Sequence, residues 1–134
     1  MAKLIDVEGI GTRYADKLKA AGVGSTDDLL KKGATPKGRK ELANKSGISD
    51  TLILEWVNHV DLYRIKGVGS EYSDLLEEAG VDTVVELAQR KGANLFQKMM
   101  EVNVQKKLVR KMPTQGQVEG WIEQAKKLPR VVSY

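Results

Sequence analysis

The sequence predicts an all-α fold of about nine or ten short helices. Helix-starting residues (Ser, Thr and Asn ahead of amphipathic segments) recur throughout the 134-residue chain, whereas alternating strand patterns are scarce. A hydrophobic fraction of 41% and a charged fraction of 30% are typical of a globular protein with a packed core. An internal repeat indicates that the same set of helices occurs twice.

Four helix starts are predicted in the first half, at Thr12, Ser25, Thr35 and Ser49. The first helix is expected to reach Ala21, because Gly22 is a typical C-terminal stop. The second should occupy about 26–32, and the third should end before Gly47. The fourth is expected over about 50–66, so that it connects the two halves.

The second half has the same kinds of helix-starting residues, with starts predicted at Ser70, Thr83, Asn94 and Thr114. Thr114 and Gln117 form a Thr-x-x-Gln capping box, and Pro129 ends the helix that follows. The residues 131–134 are expected to form a short extended tail.

The repeat divides the chain into two related domains, 1–61 and 62–134. Gly9-Ile10-Gly11 recurs as Gly67-Val68-Gly69 at an offset of 58 residues, and Tyr14 recurs as Tyr72. Trp56 matches Trp121 at an offset of 65, which predicts an insertion around 110–116 in the second copy. Both tryptophans lie among aliphatic residues at helical spacing, so they are expected in the core, and both tyrosines are expected to pack.

Composition excludes several classes of function. The chain has no Cys and a single His, His59, expected at the surface or the core edge, so thiolate catalysis and His-pair metal sites are absent. Nucleotide-binding glycine loops and carboxylate constellations are also missing. We therefore expect a non-enzymatic, cytoplasmic protein without catalytic residues, cofactor, metal, small-molecule substrate or membrane contact. The net charge of +4 permits a polyanionic partner without requiring one.

Two segments resemble the helix-hairpin-helix motif, which has Gly-apolar-Gly between two short helices. They are residues 4–23, with Gly9-Ile10-Gly11 followed by Ala15, and residues 62–81, with Gly67-Val68-Gly69 followed by Ser73. We call them the first and the second hairpin. Ser46-Gly47-Ile48-Ser49 resembles a third copy that lacks one glycine, and the region around 112–115 stands where a fourth belongs.

The order of these copies resembles two tandem double helix-hairpin-helix domains. The whole sequence is also similar to an uncharacterised prokaryotic family of tandem helix-hairpin-helix proteins, a domain of unknown function. Positive-φ glycines and a following helix N-terminus orient backbone amides toward a phosphate oxygen. The resemblance therefore implies sequence-independent nucleic-acid binding, with duplex DNA as the favoured partner, gripped across the minor groove.

The first hairpin is the strongest phosphate-binding candidate. Gly9, Ile10, Gly11 and Thr12 would supply amides, and Arg13 and Lys17 would supply charge. Gly67, Gly69 and Ser70 of the second hairpin are weaker candidates because their helix is acidic, and Gly47 and Ser49 complete the set. The glycines are equally compatible with tight turns that serve packing alone.

Lys106, Lys107, Arg110 and Lys111 have a spacing that would place them on one helix face. This basic cluster is either a footprint for nucleic acid or an ordinary solvated surface. The low net charge and the acidic second hairpin favour a second hypothesis, in which the hairpins form a protein-interaction or scaffold module that no longer binds DNA.

Overall fold

The computed structural model describes residues 3–134, and all regular structure in that range is helical. A 3-10 helix at Leu4–Asp6 precedes eight α-helices. They are α1 Gly11–Ala20, α2 Thr26–Lys32, α3 Pro36–Ser46, α4 Asp50–Leu62, α5 Ser70–Glu78, α6 Val84–Ala88, α7 Gly92–Lys106 and α8 Gln115–Lys127. The all-α prediction is confirmed, with slightly fewer α-helices than the nine or ten expected. Within 3–134 no helix has the length and apolar character that crossing a lipid bilayer needs.

Hydroxyl caps start most of the helices as predicted. The side chains of Ser25, Thr35, Thr83 and Thr114 each accept a hydrogen bond from the backbone amide three residues later, at 3.1–3.3 Å. Ser49 does the same for α4 at 3.2 Å. These contacts satisfy amides that a helix cannot satisfy internally, which is why the local sequence specifies them.

Three boundaries differ from prediction. The helix α1 starts at Gly11 with Ile10 as its N-cap, so Thr12 lies inside the first turn rather than capping it. The helix α7 starts at Gly92, two residues before Asn94. The helix α4 ends at Leu62 rather than near residue 66, because the turn of the second hairpin begins there. In that turn, the Ile65 amide donates to the Leu62 carbonyl.

The chain divides into two compact units. Unit 1 comprises the residues up to Asp61 together with Val131–Tyr134, and unit 2 comprises Leu62–Arg130. In unit 1, α1 packs against the 3-10 helix and α3, and α2 packs against α3. Trp56 of α4 is 1% exposed, as expected for a core residue. His59, expected at the surface or the core edge, is instead buried at 5% exposure.

Unit 2 is built around α8, which packs against α6 and α7, while α7 also packs against α5. Trp121 of α8 is 4% exposed and belongs to a continuous apolar core with Leu75, Leu87 and Met99. Burial of these side chains is the main term that holds the short helices together, since helices of this length are marginal alone.

Candidate nucleic-acid interface

The first hairpin turns tightly between the 3-10 helix and α1. The Val7 amide donates to the Leu4 carbonyl and the Ile10 amide donates to the Val7 carbonyl, both at 3.1 Å. Gly9 and Gly11 have φ of +88° and +60°, a region that residues with a Cβ rarely adopt. Ile10 between them is 2% exposed and plugs the turn into the core.

The start of α1 presents backbone amides to solvent. Gly11, Thr12 and Arg13 form its exposed first turn, where amide groups have no acceptor within the helix. The N-cap is Ile10, an apolar side chain that has no acceptor to offer. The Ile10 amide is already bonded to Val7, so this residue contributes packing rather than the amide expected of it.

The two basic residues expected beside the first hairpin lie on the same side of α1, one helical turn apart. Arg13 is exposed in the first turn, close to the free amides. Lys17 lies in the last turn, about 9 Å further along the helix axis from Gly11. Its ammonium group is 5.8 Å from the centroid of the Tyr14 ring, within reach of a cation-π interaction.

An aromatic pair supports the turn from the core side. A Cβ added at Gly9 would lie 3.3 Å from Nε1 of Trp56, and the Trp56 and Tyr14 ring centroids are 5.1 Å apart. The packing roles of both aromatics were predicted, whereas the approach of Trp56 to Gly9 was missed. The recurrence of both the glycine and the tryptophan in the two copies was the available signal.

The second hairpin repeats these contacts closely. The Val68 amide donates to the Ile65 carbonyl at 3.1 Å, and a Cβ at Gly67 would lie 3.1 Å from Nε1 of Trp121. Tyr72 and Trp121 have centroids 5.3 Å apart. The equivalence extends to a contact that sequence reasoning missed. Lys32 in unit 1 and Arg90 in unit 2, again 58 residues apart, donate to the carbonyls of Gly22 and Gly80.

The two hairpins differ where a phosphate would bind. Gly69 is the N-cap of α5 with φ of −109°, so it lacks the left-handed conformation of Gly11. The Ser70 carbonyl accepts a bond from Ser73 at 2.9 Å, and Glu71 adds a carboxylate to the first turn. Carboxylates at this position repel a bound anion while stabilising the helix N-terminus.

The side chain of Gln124 also binds the backbone of the second hairpin, at Lys66. The Gln124 amide accepts from the Lys66 amide at 2.9 Å and donates to the Lys66 carbonyl at 3.2 Å. The backbone amide of Lys66 therefore already has an acceptor within unit 2. In the second hairpin, the backbone of Lys66 is thus held by a side chain of α8, whereas the first turn of α5 has no side-chain cap.

Gly47 and Ser49, the candidate residues of the third copy, serve to end one helix and start the next. Gly47 ends α3 in the left-handed conformation with φ of +73°. The Ser49 hydroxyl accepts from the Leu52 amide, and Asp50 follows in the first turn of α4. The hydroxyl is thus used for capping, and a carboxylate stands where an anion would approach.

The basic cluster does not lie on a helix face. The helix α7 ends at Lys106, and Lys107 adopts a left-handed conformation with φ of 51°. The Asn103 side chain accepts from the Val109 amide at 3.0 Å, which folds the segment after Lys107 back along α7. The prediction of one helical surface from Lys106 to Lys111 is therefore wrong.

The basic segment lies beside α5 of the same unit. Lys106 forms an ion pair with Glu78, and the Tyr72 hydroxyl donates to the Lys111 carbonyl at 2.9 Å. Lys107, Arg110 and Lys111 are exposed. Part of the positive charge of this segment is thus balanced by the acidic helix against which it packs.

These features define an all-α protein with two glycine turns of matching hydrogen bonds, of which the first presents free amides. Residues 8–128 match the sequence profile of a family described as "Domain of unknown function (DUF4332)". Because the match spans most of the chain, the protein belongs to this family. No curated protein and no solved structure matches the chain.

Proposed function

We propose that the protein is a tandem of two double helix-hairpin-helix domains that binds nucleic acid, with duplex DNA favoured, independently of sequence. The observation that carries the proposal is the free N-terminus of α1. Its exposed first turn begins at the positive-φ Gly11, two residues after the positive-φ Gly9, and contains Arg13 and no carboxylate. Amides, a helix dipole and one cation together favour a phosphate oxygen.

Comparison with the other helices supports this assignment. The N-termini of α2, α3, α6 and α8 are closed by hydroxyl side chains, whereas α1, α5 and α7 have no side-chain cap. Of these three helices, α1 is the one that begins at a glycine with positive φ, behind the apolar Ile10. An uncapped N-terminus on the surface leaves its amides available to an external acceptor. Exposed Lys107, Arg110 and Lys111 of unit 2 raise the positive charge of the protein and its attraction to a polyanion.

The proposed mechanism is non-enzymatic and takes place in the cytoplasm. Amides of Gly11 and Thr12 would donate to one phosphate oxygen while Arg13 pairs with its charge. Contacts to phosphate alone read no base, so affinity should not depend on sequence and should fall steeply with salt. No catalytic residue or cofactor takes part in this mechanism.

The test is fluorescence anisotropy with labelled duplex and single-stranded DNA at about 50 and 200 mM salt. We expect duplex binding at low salt that weakens strongly at the higher concentration, for two duplexes of unrelated sequence alike. Absence of binding by folded protein at low salt would overturn the proposal.

A second candidate function is a protein-interaction module. It is favoured by the acidic first turn of α5 and by the ion pair between Glu78 and Lys106, which lower the suitability of unit 2 for DNA. On this hypothesis the protein binds no DNA, and substitutions at Arg13 leave its interactions unchanged.

A further inference from the structure

Unit 2 holds a non-helical segment of its own chain against α5. We call this segment, residues 107–113, the unit 2 connector, because it joins α7 to α8. The Tyr72 hydroxyl donates to the Lys111 carbonyl at 2.9 Å, and Val109 belongs to the same apolar core as Leu75. When proteins bind peptide segments, main-chain hydrogen bonds supply affinity and sites for side chains supply specificity. The contact within unit 2 has both features.

The corresponding surface of α1 in unit 1 is open. The repeat offset of 58 residues pairs Tyr14 with Tyr72, Lys17 with Leu75, and Ala21 with Ala79. Leu75 and Ala79 are 0% and 4% exposed, whereas their counterparts in unit 1 are only half-buried. Within residues 3–134 nothing accepts a hydrogen bond from the Tyr14 hydroxyl, which solvent reaches. We call the surface formed by Tyr14, Lys17 and Ala21 the open α1 face.

A difference in chain length explains why this face is open. The helices α3 and α7 both end at a residue in the left-handed conformation, Gly47 and Lys107. The hydroxyls that cap the next helices belong to Ser49 and Thr114. Between these points unit 1 has residue 48 alone, whereas unit 2 has residues 108–113. Unit 1 therefore lacks the residues that make this contact in unit 2.

The charge beside the contact is reversed between the two units. Three acidic residues of α5 correspond to two basic residues and an alanine of α1, namely Glu71, Glu77 and Glu78 against Arg13, Lys19 and Ala20. In unit 2 the acidic helix faces the basic connector, and Lys106 pairs with Glu78. In unit 1 the half-buried Lys17 adds a cation, and Asp16 is the one carboxylate of α1. Charge complementarity therefore favours an acidic partner for the open α1 face.

A cavity at the end of the open α1 face provides space for an apolar side chain. It has a volume of about 250 Å³ and is lined by Ala21, Lys32, Gly38, Glu41, Leu42 and Lys45. Two lysines and one glutamate make its charged lining positive on balance. The apolar part of its lining, with Ala21 and Leu42, suits a side chain such as Val109, which the connector buries in unit 2.

We infer that the open α1 face and this cavity form a docking site for a non-helical, acidic segment of a partner protein. The segment offers a main-chain carbonyl to the Tyr14 hydroxyl, carboxylates to Lys17 and Lys19, and an apolar side chain to the cavity. It thus repeats the contact of the unit 2 connector with the charges exchanged. The inference is independent of DNA binding, which uses the amides at the N-terminus of α1.

Two labelled peptides test the inference. One has the connector sequence, Lys-Leu-Val-Arg-Lys-Met-Pro, and the other has its charges reversed, Glu-Leu-Val-Glu-Glu-Met-Pro. Each is titrated with the full chain and followed by fluorescence anisotropy at about 50 mM salt. Both peptides have the same apolar residues, so the difference between them reports charge. We expect the acidic peptide to bind at least about tenfold more tightly than the basic one. Absence of binding by both peptides, or equal binding, would overturn the inference.

Variants locate the binding on α1. Tyr14→Phe keeps the ring that packs on Trp56 and removes the hydroxyl, so acidic-peptide binding should weaken by about fivefold. Lys17→Glu should weaken it by about tenfold or more. Tyr72→Phe is the matched control in unit 2, and it should leave peptide binding unchanged because its hydroxyl is already bonded to Lys111. Equal effects of Tyr14→Phe and Tyr72→Phe would contradict docking on the open α1 face.

Duplex DNA, titrated against the same chains, separates this inference from the proposed function. Binding of the acidic peptide by a chain that binds no duplex would support the docking site and overturn the proposed function. If the acidic peptide does not bind while Tyr14→Phe and Lys17→Glu both abolish duplex binding, the open α1 face belongs to the nucleic-acid interface and the inference is wrong.

Discussion

The glycines Gly11 and Gly69 occupy equivalent positions of the repeat, yet the same substitution should affect them differently. A Cβ at either position meets no other atom within 4 Å, so space does not distinguish them. Their backbones do, since φ is +60° at Gly11 and −109° at Gly69. We therefore compare Gly11→Val with Gly69→Val.

The expected difference in stability follows from the backbone alone. A left-handed conformation costs an L-residue roughly 1–2 kcal/mol, and a β-branched side chain lies at the upper end. The extended backbone at Gly69 accepts valine at no such cost, and the substitution restricts the unfolded chain. Gly11→Val should thus lower the free energy of unfolding by about 2 kcal/mol relative to Gly69→Val, roughly thirtyfold in the unfolding equilibrium.

The assays are urea unfolding followed by circular dichroism, and duplex DNA binding followed by anisotropy at low salt. Gly11→Val should weaken binding by about tenfold or more, because the strained turn misdirects the amides, while Gly69→Val should bind unchanged. Gly11→Asn, which tolerates positive φ, is the matched control and should retain stability. Equal stability and equal DNA affinity of the two valine variants would refute the reasoning.

Four further changes have defined outcomes. Gly67→Ala should destabilise by about 1–3 kcal/mol, because its Cβ meets Trp121 Nε1 at 3.1 Å with φ of +96°. Gly120→Ala, inside α8 with open space around it, should stabilise by about 0.5–1 kcal/mol. Lys106→Ala should cost less than about 1 kcal/mol, because its ion pair is solvent-exposed. Arg13→Gln should reduce the salt slope of DNA binding by about one.

Urea unfolding checks the three stability changes, and anisotropy over a salt series checks the fourth. A neutral Gly67→Ala would mean that the turn relaxes away from Trp121. A destabilising Gly120→Ala would contradict the open space around that position. An unchanged salt slope in Arg13→Gln would remove this residue from the DNA contact.

Local chemistry explains which features of the fold the sequence predicted. The caps at Ser25, Thr35 and Thr83 depend on residues three positions apart, so a short window contains all the information needed. The matching Gly and Trp positions likewise predicted the paired turns and the buried tryptophans. Periodicity failed at Lys107, because the Asn103 side chain bonds the Val109 backbone and ends the helix that the spacing suggested.

Contacts between distant parts of the chain explain what the sequence did not predict. The bond from Arg39 to Ser133 spans 94 residues, and no periodic pattern marks either partner. The clamp of Gln124 on Lys66 and the φ of Gly69 likewise depend on packing partners distant in sequence. Of the candidate site, the sequence identified the residues of the first turn, while the position of the Lys17 ammonium group over the Tyr14 ring required the structure.

The order in which the two units occur along the chain has a consequence for synthesis. Unit 1 takes its last four residues from after the whole of unit 2, so every residue of unit 2 is made before unit 1 is complete. During translation, unit 1 therefore stays incomplete while the whole of unit 2 is made, although most of its residues are synthesised first. Until Ser133 arrives, the buried Arg39 lacks one of its two acceptors.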